Sequence, residues 1–338
     1  MRLRSGLVVI VLVAGGCALL LPRGPAPVAR TAADHTGADH TAAKSDDPDA
    51  ASRGPQSIDP ALFSPGACMA FPPANGNRHE TVFLDAGHGG IDPGGVGSTE
   101  SGATVEESIV NLPIELDTME ILRAQGYRVV VSRTQNTSVT RLSPADVSGG
   151  VLTVQGAFDD VTARDVCANL AGADILIGIY MDAGYWGDAG CLTGYDADRP
   201  FAAENLRLAT LLQDDVLAAM NAHGWGIPDD GVLADTGLGS ALTSAAVAYG
   251  HLLLLGPAEA GYFSTPSEMP GALIEPLYLT DPFEASIAVS AQGQQVIAVA
   301  IAEAVDQYFA GPEVAPAGEA AASGQTPARA GGPRMIPR

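Results

Sequence analysis

The chain has 338 residues, enough for one large domain or two small ones. Acidic side chains outnumber basic ones by 39 to 17, giving a formal net charge of −22, which excludes a nucleic-acid groove built from clustered Lys and Arg. No fixed-period repeat is visible, so a repeat array is not expected.

In chain order, Arg2 and Arg4 precede the apolar run Leu7–Leu21, which Pro22 and Arg23 close. Residues 1–22 therefore read as a signal peptide or a membrane anchor, and the run is near the lower limit of ~17–25 residues for a spanning helix. Cys17, in Ala14-Gly15-Gly16-Cys17, resembles a bacterial lipoprotein cleavage site without the usual Leu three places earlier. An exported protein at the cell envelope or outside the cell is expected. Residues 23–77 read as a disordered linker and lead-in, and 312–338 as a disordered tail, because both are rich in Ala, Pro and small polar residues. His35 and His40 fall in two similar Ala-Asp-His-Thr phrases of that solvated linker. Of Cys68, Cys167 and Cys191, two can pair and leave one free, and the sequence does not choose the pair.

Residues 78–311 alternate strand and helix signals. Strands are expected at Thr81–Ala86, Tyr127–Ser132, Asp174–Tyr180, His251–Leu255 and Ala272–Leu277. Helices are expected at Leu112–Gln125, where Gly126 stops the apolar spacing, and at Thr162–Leu170, Phe201–Ala222 and Ala288–Phe309. Pro113 suits the first turn of its helix and would kink a later one. Residues 135–160 fit neither period and read as a surface insertion. This alternation predicts a single α/β domain with a mostly parallel central sheet covered by helices on both faces. Strand-end loops then gather at one edge, where ligands bind.

Chemistry-bearing residues fall at those strand ends. Asp85-Ala86-Gly87-His88-Gly89-Gly90 leaves the first strand directly, and its glycines let the backbone turn sharply and hold the imidazole clear of the sheet. Glu106 and Glu107 open the first helix, a favourable place for anionic side chains in any case. Glu275 lies in the otherwise apolar phrase Ala272–Leu277, where a carboxylate is costly unless paired or metal-associated.

Together these phrases resemble the zinc-dependent N-acetylmuramoyl-L-alanine amidases. The family's GHGG turn is matched by Gly87-His88-Gly89-Gly90. Its helix-opening glutamate phrase is matched by Glu107-Ser108-Ile109-Val110-Asn111-Leu112, with Glu106 the alternative if the register slips by one. Arg164, Ala168-Asn169 and Gly172-Ala173-Asp174 reproduce the phrase before the third strand. Pro270-Gly271-Ala272-Leu273-Ile274-Glu275 with Thr280-Asp281-Pro282 reproduces the catalytic phrase. The resemblance implies that His88 and Glu107 hold Zn2+ and that Glu275 is the catalytic acid/base. It also implies peptidoglycan as substrate, hydrolysed between N-acetylmuramic acid and L-alanine by a zinc-activated water.

The chain departs from the family at the third ligand. The family's histidine phrase aligns with Ile177-Gly178-Ile179-Tyr180-Met181-Asp182, which puts Tyr180 where the third imidazole stands. Tyr180 as a phenolate ligand, Asp182 on the same strand face, or His251 are the three candidate repairs, and a phenol of pKa ~10 must lose its proton to serve. Glu259 is a minor alternative to Glu275, and Asp229-Asp230 reads as a turn. The alternative function is a catalytically degenerate amidase-like module that binds peptidoglycan or a cell-wall partner. Loss of the histidine favours it, and the presence of His88, Glu107 and Glu275 favours the enzyme. The sequence names no protein activator.

Overall fold

Apolar residues on successive strands alternate between two faces, and this alternation divides the core. The computed structural model describes residues 54–185, 187–238 and 243–311. Residues 1–22, His35, His40 and the 312–338 tail lie outside the described residues. In chain order the strands are β1 (Gln56–Ser57), β2 (Ala67–Phe71), β3 (Thr81–Ala86), β4 (Val96–Ser98), β5 (Thr104–Glu106), β6 (Arg128–Arg133), β7 (Val147–Ser148), β8 (Val151–Leu152), β9 (Ile175–Ile179), β10 (Cys191–Tyr195), β11 (Asp229–Ala234) and β12 (Gly271–Glu275). The α-helices are α1 (Glu107–Ala124), α2 (Val154–Ala171), α3 (Ala202–Ala222), α4 (Ser244–Tyr249), α5 (Pro282–Ala288) and α6 (Ala291–Ala310).

One sheet of eight strands runs β1-β2-β6-β3-β9-β12-β10-β11. Its middle, β6-β3-β9-β12, is parallel, which brings the carboxyl ends of β3, β9 and β12 together. β2 runs antiparallel to β6, and the mutually parallel pair β10 and β11 runs antiparallel to β12. Val82, Leu84, Val129, Val131, Ile175, Ile177, Ala272 and Ile274 face one side and are buried with the apolar stripes of α1, α3 and α6. Phe83, Val130, Leu176 and Leu273 face the other side, with Cys68 of β2 and Cys167 and Ala168 of α2. The helix-covered, mostly parallel α/β sheet matches the expected fold class.

Several expected boundaries move. The lead-in expected to end at residue 77 supplies β1 and β2, so the sheet reaches back to Gln56. The expected strand His251–Leu255 is a turn, because the Arg199 guanidinium, not a neighbouring strand, donates to the carbonyls of Leu255 and Gly256. The expected insertion at 135–160 holds the β7–β8 hairpin and the first turns of α2, which Thr153 caps by accepting from the Gly156 amide at 3.0 Å. Because α1 begins at Glu107, Pro113 lies in its second turn. Ser290 caps α6, so the closing helix expected from Ala288 starts at Ala291, and the short helix α5 precedes it.

Cys68 and Cys167 form a disulfide across 99 residues, and Cys191 is free and buried in β10. Closing so long a loop restricts the unfolded chain more than the native one. Replacing both paired cysteines by alanine is therefore expected to lower the unfolding free energy by about 2–5 kcal/mol, read from urea-induced unfolding. An unmoved midpoint would show that the native chain gains nothing from the bond.

Candidate active site

The turn after β3 is held from outside by two buried guanidinium groups. Arg133, at the end of β6, donates to the carbonyls of Ala86 at 3.0 Å, Gly87 at 3.1 Å and Ser108 at 2.7 Å. Arg164, from α2, donates to the carbonyls of Ala86 and His88, both at 2.8 Å, pairs with Asp160 at 2.9 Å and bonds Asp85 directly. Held this way, His88 adopts a left-handed φ of 60° and turns its ring off the sheet edge.

The ring is bracketed by carboxylates. Nδ1 lies 2.8 Å from Asp92 Oδ2 and Nε2 lies 3.2 Å from Glu107 Oε2. Burial opposes a charged imidazole, but the Glu107 charge and the Asp92 hydrogen bond outweigh it and push His88 up to about 10. Glu107 is itself fixed: Oε2 accepts from the Gly95 amide at 2.8 Å, and Oε1 from the Met181 amide at 3.0 Å and the Asn111 side chain at 3.3 Å. A Cβ on Gly94 would sit 2.6 Å from both Glu107 Oε2 and the His88 ring, so glycine is required there. Glu106 is exposed, and it is Glu107 that meets the His88 ring.

Tyr180, one residue past β9, is buried with its ring edge-on to His88, centroids 5.5 Å apart. A Cβ on Gly87 would lie 2.3 Å from that ring, so the first glycine of the turn makes room for the phenol. The hydroxyl donates to Asp85 Oδ2 at 3.0 Å. Burial and the Asp85 charge push the phenol well above its usual range. The phenol therefore keeps its proton and aims it at Asp85, where a zinc ligand would need a phenolate.

Glu275 ends β12 and is 1% exposed. Its Oε2 and Asp182 Oδ2 both lack a hydrogen-bond donor. A proton shared between two carboxyls satisfies such a pair. Burial first, then the charges of Asp182 and Glu107, raise Glu275 well above the usual carboxylate range, and burial lifts Asp182 to about 6. A cation suits this surplus of buried carboxylates around one imidazole, with His88 and Glu107 as its protein donors.

A cleft of about 770 Å³ crosses this face of the sheet and is lined by His88, Arg164, Tyr180 and Glu275 at one end and by Asp235 and His251 at the other. His251 does not repair the ligand set. Its Nδ1 lies 2.8 Å from Asp196 Oδ2 and 3.2 Å from Asp235 Oδ1. Burial and the Asp196 charge lift Asp235 to about 6. Glu259 is exposed in a turn, and Asp229-Asp230 begins the edge strand β11 instead of forming a turn. Sequence reasoning missed Asp92, Arg133, Asp196 and Asp235. Of these, Asp92 alone carried a local signal, four residues past His88 in the same glycine-rich turn.

A buried imidazole–carboxylate pair facing a proton-holding carboxyl two strands away, at the carboxyl edge of a parallel sheet, defines a hydrolase-type site. The family model for N-acetylmuramoyl-L-alanine amidase matches residues 82–307, and the chain belongs to that family. An uncharacterised Bacillus subtilis protein, YqiI, is 23% identical over 231 residues, covering 68% of this chain and 85% of its own. An N-acetylmuramoyl-L-alanine amidase from Clostridium difficile 630 is 25% identical with a TM-score of 0.47, covering 68% of this chain and 97% of its own. The CwlD amidase of Clostridioides difficile, solved in complex with the GerS lipoprotein, is 20% identical with a TM-score of 0.50 over 68% and 98% of the two chains.

Tyr180→Phe removes the hydroxyl and keeps the ring. It is expected to cost about 1–3 kcal/mol of stability, because Asp85 loses a donor, and to leave zinc content unchanged. A fall in bound zinc, measured by elemental analysis, would place Tyr180 in the ligand set.

Proposed function

We propose that the chain is an exported peptidoglycan hydrolase that cleaves the amide between N-acetylmuramic acid and the L-alanine of the stem peptide. The observation that carries this reading is Glu275, a fully buried carboxyl with a donor-free oxygen within electrostatic reach of His88 and Glu107. His88 and Glu107 would hold Zn2+, which when bound supplies an acidified water and polarises a carbonyl. In its ionised form, which a bound cation would favour, Glu275 would take a proton from the attacking water at Oε2 and return it to the leaving amine. Asp92 fixes the His88 ring through Nδ1, so that Nε2 meets Glu107. Leu254 and Leu273 give the cleft an apolar wall that excludes water from the reacting end. The Cys68–Cys167 bond supports action outside the reducing cytoplasm.

One observation favours a second reading, the degenerate binding module: the Tyr180 hydroxyl donates to Asp85, a bond that a phenolate ligand would have to give up. The two readings separate on incubation of the full chain with muropeptide and zinc chloride, with products followed by mass spectrometry. Release of free stem peptide is expected, and Glu275→Gln is expected to slow it by ~10²–10⁴-fold with muropeptide binding intact. Binding to sacculi without release of peptide would leave the module as the function. Tyr180→His adds an imidazole at the end of β9 and is expected to raise zinc affinity; an unchanged affinity would show that this position does not face the metal.

A further inference from the structure

The end of the cleft remote from Glu275 holds side chains that hydrolysis does not use. Asp196 is the first residue after β10, and Asp235 the first after β11. These strands pair in parallel with Tyr195 opposite Ala234, so the two aspartates leave the sheet side by side. β10 runs antiparallel to β12 with Leu192 opposite Glu275, which places Asp196 four residues further on, ~13 Å along the strand at the usual ~3.3 Å rise.

Each aspartate is anchored through one oxygen. Asp196 Oδ1 accepts from the Asp198 amide at 2.7 Å, and Asp235 Oδ2 from the Leu252 amide at 3.0 Å. The other two oxygens converge on His251 Nδ1. A ring nitrogen carries one proton at most. The hydrogen bond goes to Asp235, and Asp196 Oδ2 has no donor although Asp196 is fully buried. The Arg199 guanidinium, whose charge reaches Asp196, donates to the carbonyls of Leu255, Gly256 and Ser267 and leaves that oxygen unserved. Two buried carboxylates therefore share one proton, and one oxygen is left over.

We infer that Asp196, Asp235 and His251 form a second divalent-cation site, separate from the His88–Glu107 pair and independent of whether the chain cuts peptidoglycan. The donor set, one imidazole nitrogen and two carboxylate oxygens, suits a zinc-class ion, and its two negative charges balance the metal. The three donor atoms lie within 4.8 Å of one another. A tetrahedron with ~2.1 Å metal bonds has an edge of ~3.4 Å; the 3.2 Å separation from Nδ1 nearly matches it, and the 2.8 Å separation would open by roughly half an ångström on binding. The backbone bonds to the outer oxygens are the second shell that such ligands need. The ion would tie the end of β10 to the segments after β11 and α4, fixing the far wall of the cleft.

The test uses the full chain, stripped with a chelator and titrated with zinc chloride by calorimetry, with bound zinc counted by elemental analysis. In the His88→Ala/Glu107→Gln background one equivalent of zinc is expected to remain. His251→Ala, Asp196→Asn or Asp235→Asn in that background should each lower its affinity by at least ~100-fold. Because the double background can compromise folding, Asp196→Asn alone is compared with the unsubstituted chain. It should lose one zinc equivalent and the part of the zinc-dependent rise in melting temperature due to this site. Zinc stoichiometry and melting shift unmoved by Asp196→Asn and His251→Ala would overturn the proposal and leave the cluster a hydrogen-bonded triad.

Discussion

The buried pair between Arg164 and Asp85 is the contact on which the catalytic edge of this sheet depends. A guanidinium with almost no exposure is tolerated only where acceptors surround it, and Arg164 has two carboxylates and two carbonyls. Those carbonyls belong to the turn that carries His88. The same Asp85 receives the Tyr180 phenol through its other oxygen, so one carboxylate joins β3, the turn, α2 and the end of β9. The geometry of His88 is thus set by its buried neighbours, and the Tyr180 phenol is part of that support.

Both ends of the cleft share one electrostatic condition. Around His88 and Glu275, and again around His251, buried carboxylate oxygens outnumber the hydrogens available to them, and Glu275 Oε2, Asp182 Oδ2 and Asp196 Oδ2 are each left without a donor. Burying a charge without a partner costs several kcal/mol, and the folded state meets that cost with protons, cations or raised pKa values. Strong acidity is therefore concentrated inside the protein at specific points as well as spread over its surface.

The sequence made the central strands visible because β3, β6, β9 and β12 are buried on both faces and read as continuous apolar runs. It hid β10 and β11 because CLTGY and DDGVLA mix glycine and polar residues, and β11 is an edge strand with little to bury. Four consecutive leucines after His251 imitated a strand, though they pack as a turn whose carbonyls Arg199 receives. The local phrases around His88, Glu107 and Glu275 were legible because each is contiguous. The partner of the Tyr180 hydroxyl and the Asp196–Asp235–His251 cluster were not, because both bring together segments far apart in the sequence.

The disulfide has a meaning beyond resistance to unfolding. Cys167 lies on α2 within one turn of Arg164, and its partner lies in β2, on the sheet face that α2 covers. Oxidation thus fastens the very helix that supplies the guanidinium under the His88 turn. Order of events enters the chemistry: a newly made chain with free thiols has every residue of the site, yet the rail on which Arg164 rides is locked only after an oxidant has acted. A reduced copy and an oxidised copy of one polypeptide are then distinct chemical species.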